Sequence, residues 1–426
     1  MSMGMHRLHR RLPYPGSGRA QRGFGLVELM VAVVIALVAS LAIFQTFAAS
    51  EERKRTTTSG SEGLQSAMFA MSYMERMLSN AGYNMVAVSD PGYISTVRNI
   101  NFGAGTFTLS SYTPPRTELD IGCTATVAGT ATRIVPLTVA SGGGALASDT
   151  LTLMAGSSAT VPLPVRTNPL VVPIGSAVVT LDSTYGFAIG DWVLVYEEND
   201  ASATMAGTLR TRACTLAQVT GLPNAPTISP AGIQLSVATA AAYDIGAVIN
   251  LGPRPVMNQF TVDANQRLLM TDLMNPGAGA QVIADNVLAM KAQLGIDVGG
   301  DDVIDEWLNP PAAATTWLNP NNPLPALTIS ALPVVAGARA LHQIKAVRLG
   351  LLVRSPQFER PNTAGACATT PAGPYQVLDP ITGSAAQRTP DMPGSGSYTL
   401  AGNQQCFRYN TVNAIIPLRN PLLSDM

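Results

Sequence analysis

An apolar segment near the start of the chain constrains the fold more than any other feature. Residues 29–50 contain no charged side chain. As an α-helix rising about 1.5 Å per residue they would extend roughly 33 Å, enough to cross the hydrocarbon core of a bilayer. Five arginines and no acidic residue lie in residues 1–23, and a mixed charged run at 51–55 follows the segment. Because basic flanks stay cytoplasmic, the sequence predicts one membrane-spanning helix with the rest of the chain exported.

The residues around this segment stand in an unusual order. An ordinary secretory signal is cleaved after its apolar stretch, at small residues. Here Arg22, Gly23 and Phe24 precede the stretch, and Glu28 is the fifth residue counted from Phe24. A carboxylate costs on the order of 2.5–3.5 kcal/mol at the centre of a membrane helix and less near the interface. Glu28 therefore requires a cationic partner or, in a plain signal anchor, a side chain that reaches the interface.

The stretch GFGLVELMVAVVIALVASLAIF resembles the type IV prepilin signature. The resemblance implies that residues 1–23 are a leader, that prepilin peptidase cuts after Gly23 on the cytoplasmic face, and that Phe24 is then N-methylated. It also implies that Glu28 pairs with the α-amine of Phe24, in the same chain or in a neighbouring subunit. Pro13 and Pro15 lie in a long leader and leave a downstream start codon as an alternative.

The helical pattern continues beyond the charged run. Apolar residues recur at helical spacing, at Leu64, Ala67, Met68, Met71, Met74 and Leu78. Gly82 is placed as a C-terminal cap. The pattern predicts one long helix over 24–83, with its transmembrane part at about 24–50 and a bend near Gly60, whose second half packs on a globular domain.

From about residue 99 the pattern changes to short apolar runs between Gly, Pro, Asn and Ser. The runs TLTLMAG, SAVVTLDS, WVLVYEEN, IKAVRLGLLVRS and NTVNAIIPLRNPLL predict strands. The expected fold class is α+β, a long N-terminal helix followed by a large antiparallel β-rich domain over 84–426. The Asn- and Pro-rich segment 309–325 would divide this domain into two lobes.

Three local features of this domain are also predicted. Gly190 and Asp191 form a turn before Trp192, which is expected in the core. A second short helix is expected around 284–294. The Gly-, Pro- and Thr-rich residues 356–405 are expected to form a long loop closed by a disulfide.

Four cysteines, Cys123, Cys214, Cys367 and Cys406, all follow the apolar segment. An even count in an exported domain favours two disulfides over four reduced, buried thiols. Pairing in sequence order, Cys123 with Cys214 and Cys367 with Cys406, is preferred among the three connectivities that four cysteines allow.

The acidic sequence IDVGGDDVIDEW is the one candidate metal site. Asp297, Asp301 and Asp305 fall at the first, fifth and ninth positions of a calcium loop. Gly299 at the third position and Leu308 at the twelfth depart from that pattern. The loop is therefore either a calcium site or a solvated acidic turn, and no other cofactor is expected.

Composition argues against two other functional classes. Without the five leader arginines the chain has 26 − 5 = 21 basic residues against 27 acidic ones. It therefore lacks the excess of positive charge that binding to nucleic-acid phosphates requires, and nucleic acid is not an expected partner. His342 is the one histidine beyond the leader, and GxSxG, HExxH and Walker A motifs are lacking. The chain is therefore not expected to be an enzyme.

A more specific resemblance rests on the order of several weak motifs. The AGY sequence after the helix, GDWVLV, IDVGGDD, VRLGLLVRS and the terminal LRN together resemble PilW-type minor pilins. The resemblance implies an inner-membrane protein that joins other minor pilins and the major pilin in pilus assembly initiation or at the pilus tip. The alternatives are a minor pseudopilin of a type II secretion system and a tip adhesin or ligand-binding module.

Overall fold

The computed structural model describes most of the chain with several gaps. The described residues are 25–85, 99–102, 105–108, 123–134, 136–142, 147–158, 160, 164–197, 214–224, 226–243, 246–296, 303–304, 306–308, 344–362, 364–367, 369–378 and 397–419. The Asn- and Pro-rich segment 309–325 lies outside them, so the proposed division into two lobes stays a prediction. Two compact units are present, residues 1–57 and 58–426.

Helix α1 spans Leu26–Leu78, with its 53 residues in one run. It passes through Gly60, where a bend was predicted, without interruption. The proposed cap is wrong: the helix ends at Leu78, and Gly82 lies in the turn that follows. At Gly82, φ is 78°, a left-handed value that glycine adopts at low cost, and its N–H donates to the carbonyl of Met154 at 2.8 Å. Gly82 thus ties the turn to a strand and does not cap the helix.

Antiparallel strands make up the rest of the described fold, which confirms the predicted α+β class. The five-stranded sheet contains β5 (Leu137–Ala140), β6 (Thr150–Ala155), β13 (Val256–Val262), β14 (Arg267–Asp272) and β15 (Gln281–Asp285). The four-stranded sheet contains β16 (Val287–Ile296), β17 (Glu306–Leu308), β18 (Ile344–Arg354) and β21 (Tyr409–Pro417). The two-stranded pairs are β1 (Asn99–Phe102) with β2 (Gly105–Thr108), β3 (Cys123–Val127) with β4 (Thr130–Ile134), and β19 (Tyr375–Gln376) with β20 (Ser397–Tyr398). Two short 3-10 helices lie at Pro276–Ala278 and Gly402–Cys406.

The second part of α1 packs on both of these larger sheets. Its buried stripe, Ala67, Ala70, Met71, Met74 and Leu78, shares one hydrophobic cluster with apolar residues of β6, β13, β16 and β18. The predicted stripe is therefore correct at Ala67, Met71, Met74 and Leu78, whereas Leu64 is only half-buried and Met68 is exposed. At the start of the stripe Gly63 is buried, and a Cβ there would lie 3.1 Å from the carbonyl oxygen of Arg354. The absence of a side chain at Gly63 lets the helix approach the end of β18.

The helix predicted around 284–294 is wrong, because that segment forms β15 and β16. Ala, Leu, Met, Lys and Gln are good helix formers, which explains the helical prediction. Pairing with β18 over nine register positions overrides this local preference. Met290, Ala292 and Leu294 face the helix-side core, while Lys291 and Gln293 lie between them on the other face.

A six-stranded barrel is the main feature that sequence patterns did not reveal. Its strands are β7 (Val165–Arg166), β8 (Val178–Leu181), β9 (Trp192–Glu197), β10 (Thr215–Gly221), β11 (Ala231–Leu235) and β12 (Gly246–Gly252), in the order β7-β12-β9-β10-β11-β8. A bridge between Thr167 and Leu181 closes the ring, with the Asn168 N–H donating to the Thr180 carbonyl at 2.8 Å. Closure leaves no free edge between β7 and β8.

The barrel has an apolar interior and docks on the five-stranded sheet through its outer face. Its interior includes Val179, Leu181, Val193, Val195 and Ile233. On the outer face, apolar residues of β9, β10 and β12 share a cluster with Met154 and Met257 of the sheet, and Trp192 packs against this cluster, partly buried. The predicted turn before β9 is present: buried Asp191 accepts hydrogen bonds from the Ala188 N–H at 2.9 Å and from Asn250 Nδ2 at 3.0 Å.

A buried ion pair joins the start of β6 to the middle of β16. Lys291 Nζ lies 3.1 Å from Asp149 Oδ1, with side-chain exposures of 6 % and 2 %. The second carboxylate oxygen accepts the Ala292 N–H at 3.1 Å, and the Asp149 N–H donates to the Met290 carbonyl at 2.8 Å. Burial raises the pKa of Asp149, and the Lys291 ammonium and the amide donors oppose that rise. Asp149 thus satisfies strand groups of β16 as well as the lysine charge.

The described part of the segment 356–405 is more ordered than the predicted loop. β19 pairs with β20, and Val377, Tyr398 and Leu400 pack with Ala289 and Leu352 on the face of the four-stranded sheet opposite α1. A disulfide joins Cys367 to Cys406 across a separation of 39 residues, the pair that sequence order favoured. The segment therefore covers a sheet face as well as closing a loop.

We expect the double variant Cys367→Ser/Cys406→Ser to lose about 2–4 kcal/mol of stability, because the unfolded chain is then no longer constrained by the crosslink. The measurement is the urea midpoint of the full chain in mild detergent. Wild-type protein under reducing conditions, which also open the disulfide of Cys214, should unfold at or below the midpoint of the double variant. Equal midpoints for all three samples would contradict the expectation.

Candidate functional site

The N-terminal part of α1 is the candidate site, and its side chains are exposed along its length. Residues Leu26–Phe47 are apolar and long enough to span a membrane, and none of this stretch is buried. Two hydroxyl groups within it bond to the helix itself: Ser40 Oγ donates to the Leu37 carbonyl at 2.9 Å and Thr46 Oγ1 to the Ile43 carbonyl at 2.8 Å. Internal satisfaction of polar groups is what a hydrocarbon environment requires. The segment is thus fitted to lipid or to a bundle of like helices.

Glu28 lies in the first turn of this helix and is exposed. A carboxylate at this position is favoured by the partial positive charge of the helix N-terminus. The first backbone bond nearby runs from the Leu29 N–H to the Gly25 carbonyl at 3.1 Å. Gly23 and Phe24, the predicted cleavage and methylation residues, lie outside the described residues. The pairing of Glu28 with the Phe24 amine therefore stays a prediction.

The helix continues beyond the apolar stretch into the mixed charged run. Glu51 and Lys54 are both exposed there. This run marks the end of the segment that a bilayer could accommodate, since each charge would otherwise be placed in hydrocarbon.

The second predicted disulfide is described in part. Cys214 is disulfide-bonded and buried just before β10. Ala125 and Val127 of β3 and Ile134 of β4 share a hydrophobic cluster with Cys214, which places the strand that begins at Cys123 beside it. The Cys123 side chain lies outside the described residues, so its pairing with Cys214 stays a prediction.

The predicted calcium residues Asp297, Asp301 and Asp305 lie outside the described residues, as does His342. The strands that flank the acidic loop, β16 and β17, pair antiparallel through Ile296 and Glu306. Among the residues that the structure describes, no group of three or more His, Cys, Asp or Glu side chains could hold a metal ion. Calcium binding and the expected lack of enzymatic activity both stay predictions.

Sequence reasoning missed the Asp149–Lys291 pair, although one signal for it was present. The chain has only three lysines, and Lys291 stands in the otherwise uncharged run VLAMKAQLGI. Lys345 likewise lies at the start of an apolar strand, and both lysines are about 95 % buried. A scarce charged residue inside an apolar run predicts a buried, partnered charge.

Comparison with known proteins bears on the N-terminal segment alone. The family model described as the prokaryotic N-terminal methylation motif matches residues 18–44. No curated protein and no solved structure shows significant similarity to the chain. The match covers the end of the leader and most of the apolar helix, including Gly23, Phe24 and Glu28. The chain therefore carries the prepilin-type signal of type IV pilin-like proteins, a class that implies a prepilin peptidase and pilin-type partners in general.

Proposed function

We propose that this protein is a minor pilin, anchored in the inner membrane by α1 with its remaining residues in the periplasm, and that it acts in the complex that initiates pilus assembly or at the pilus tip. The observation that carries the proposal is the prepilin-type signal at 18–44 on a chain with a large second unit. Residues 58–426 number 426 − 58 + 1 = 369, and they include a complete barrel beyond the sheets that pack on α1. A unit of this size would crowd a helical lattice of identical subunits, whereas a subunit present in a few copies meets no such limit.

The helix supplies the chemistry of assembly. Its exposed apolar surface is equally suited to lipid and to the helices of neighbouring pilins, so transfer from membrane to filament exchanges one apolar environment for another. Glu28 favours transfer into the filament, because a carboxylate in hydrocarbon is costly and is stabilised when the N-terminal amine of a neighbouring subunit neutralises its charge. The proposed partners are the major pilin and other minor pilins, through this helix.

A deletion strain tests the proposal. Loss of surface pili and of twitching motility, restored by the wild-type gene, is the expected result. The strain should also be assayed for secretion of exoproteins. Intact pili with lost secretion would reject the minor-pilin proposal in favour of a type II secretion pseudopilin, and unchanged pili, motility and secretion would reject both.

Processing of the N-terminus gives a separate prediction. We expect mass spectrometry of the mature protein to find a chain that begins at N-methylated Phe24, because the methylation motif covers this position. Gly23→Val should leave the leader attached, since the peptidase must approach the backbone at this residue, while Gly25→Ala serves as a control one residue beyond the new N-terminus. An intact leader on the wild-type protein, or cleavage after the apolar stretch, would contradict the assignment.

A further inference from the structure

The barrel interrupts an otherwise simple sheet. The strands of the five-stranded sheet lie side by side in their order along the chain, β5-β6-β13-β14-β15. All six barrel strands come between β6 and β13. These two strands pair antiparallel, and Val256 at the start of β13 lies opposite Ala155 at the end of β6. The barrel therefore occupies the place of a hairpin turn in a five-stranded meander.

The two chain segments that join the barrel to this sheet are held side by side. The Ser157 N–H donates to the Leu251 carbonyl at 2.6 Å, and Ser157 Oγ accepts the Arg254 N–H at 2.9 Å. At Gly252, φ is 80°, and a Cβ there would lie 2.4 Å from a backbone nitrogen of the entering segment. The barrel is thus attached at one place, with entry and exit adjacent, as in domains that are inserted into a host fold.

The barrel and the core around α1 bury different side chains. The interior cluster of the barrel, which includes Val193, Val195 and Ile233, draws all its members from barrel residues. The cluster that α1 shares with the two larger sheets includes none of the described barrel residues. Each part therefore has an apolar core of its own, and the packing around α1 does not use the barrel directly.

The five-stranded sheet lies between α1 and the barrel. Successive side chains of a strand point to opposite faces of its sheet. On β6, Leu153 belongs to the cluster with α1 and Met154 to the cluster with the barrel, and on β13 Phe260 and Met257 divide in the same way. Helix, sheet and barrel are therefore three successive layers of the second unit, with the barrel on the face of the sheet away from α1.

We propose that the barrel is a module inserted into a pilin unit that is complete without it, displayed on the outer surface of the assembled pilus for a role other than assembly. The inference rests on the proposed function, in which α1 packs against the helices of neighbouring pilins. The barrel layer would then be directed away from those helices. Assembly uses α1 and the sheets that pack on it, and the barrel presents its loops to molecules outside the pilus.

Cysteine labelling of assembled pili tests the display. We expect Ile228→Cys, at an 84 % exposed position between β10 and β11, to react with polyethylene-glycol maleimide equally in sheared pili and in detergent-solubilised protein. Met68→Cys is the matched control at a 58 % exposed position on α1. It should react roughly tenfold less in pili than in detergent, because packed neighbouring helices would exclude the reagent. The gel shift on an immunoblot measures both ratios, and equal protection of the two sites would overturn the display.

Excision of the barrel tests the module. The variant joins Ala155 to Val256 through Asn-Gly, the residues that a two-residue hairpin prefers. It also carries Met154→Thr and Met257→Thr, which make the uncovered sheet face more polar, and Cys123→Ser, because the predicted partner of this cysteine is removed. We expect the processed variant to accumulate in the membrane and to restore surface pili to the deletion strain at about the wild-type level.

Hydrogen exchange in detergent shows whether the excised variant is folded. Amides of β18 and of the second part of α1 should exchange as slowly as in the full chain, because their core lacks barrel residues. Loss of this protection would show that the fold requires the barrel, and a folded variant without pili would show that assembly requires it. Either result overturns the module.

Failure of this inference is distinguishable from failure of the proposed function. A full chain that is missing from sheared pili overturns the display, whereas the deletion strain alone decides the proposed function. The exchange measurement does not depend on pili, so it tests the completeness of the pilin unit in either case.

Discussion

Asp149→Ala is expected to lower the stability of the second unit by about 3–5 kcal/mol, because it removes a carboxylate that lies 3.1 Å from the buried Lys291 ammonium. The same change orphans the Ala292 N–H, which otherwise donates to Asp149 at 3.1 Å. Asp149 and Lys291 lie where the five-stranded sheet meets the four-stranded sheet. Without their interaction, the packing of both sheets against α1 should also be destabilised. Urea unfolding of the full chain in mild detergent, followed by circular dichroism, measures the effect.

Lys291→Met is expected to cost less than Asp149→Ala and to make stability depend on pH. Burial already raises the pKa of Asp149 above the ordinary 3.8, and removing the ammonium raises the pKa further. The folded variant then holds a proton that the unfolded chain releases. Its stability is therefore greatest below the unfolded pKa and falls as the pH rises through the folded one. Urea midpoints of the variant between acidic and neutral pH should decrease, relative to those of the wild type.

The matched control for the buried pair is the exposed pair Asp263–Arg267 in the same unit. Arg267 Nη2 lies 2.7 Å from Asp263 Oδ2, with the arginine side chain 41 % exposed. Asp263→Asn should change the midpoint little, because solvent screens such a pair. If Asp149→Ala were equally silent, or if the double variant Asp149→Ala/Lys291→Met lost the sum of the single losses, the two charges would not act as a pair.

Local pattern sufficed for much of the fold, because the strongest patterns are those that a single element imposes on its own sequence. The alternation in IKAVRLGLLVRS predicted β18, and the spacing of Met71, Met74 and Leu78 predicted the buried stripe of α1. The prepilin-type signal was equally local, since the end of the predicted leader, Gly23, Phe24 and most of the apolar helix lie within the 27 consecutive residues that the methylation motif matches.

Features set by distant partners were not predictable in the same way. The sequence of β16 predicts a helix, and only its pairing with β18 makes it a strand. Gly82 was likewise predicted as a helix cap, whereas its N–H bonds to the carbonyl of Met154. The barrel depends on closure between Thr167 and Leu181, which leaves no local mark.

Glu28→Gln is expected to leave the protein in the inner membrane while lowering its incorporation into pili about tenfold or more. The substitution keeps the length and shape of the side chain and removes its charge. Insertion of the helix into the membrane therefore becomes less costly, but the attraction to a neighbouring N-terminal amine is lost. In a low-dielectric filament core that attraction exceeds the roughly 1.4 kcal/mol that corresponds to a factor of ten. Quantitative immunoblots of membrane fractions and of sheared pili measure the two amounts.

The control is Glu51→Gln, which removes a carboxylate from the same helix beyond the apolar stretch, where Glu51 is exposed. Incorporation of this variant should match that of the wild type, because its carboxylate is solvated before and after assembly. Mass spectrometry of both variants must find the same processed N-terminus, since an uncleaved leader would block assembly for another reason. If Glu28→Gln were cleaved and incorporated normally, the carboxylate would have no part in assembly, and its exposed place in the first turn of α1 would be explained by the helix dipole alone.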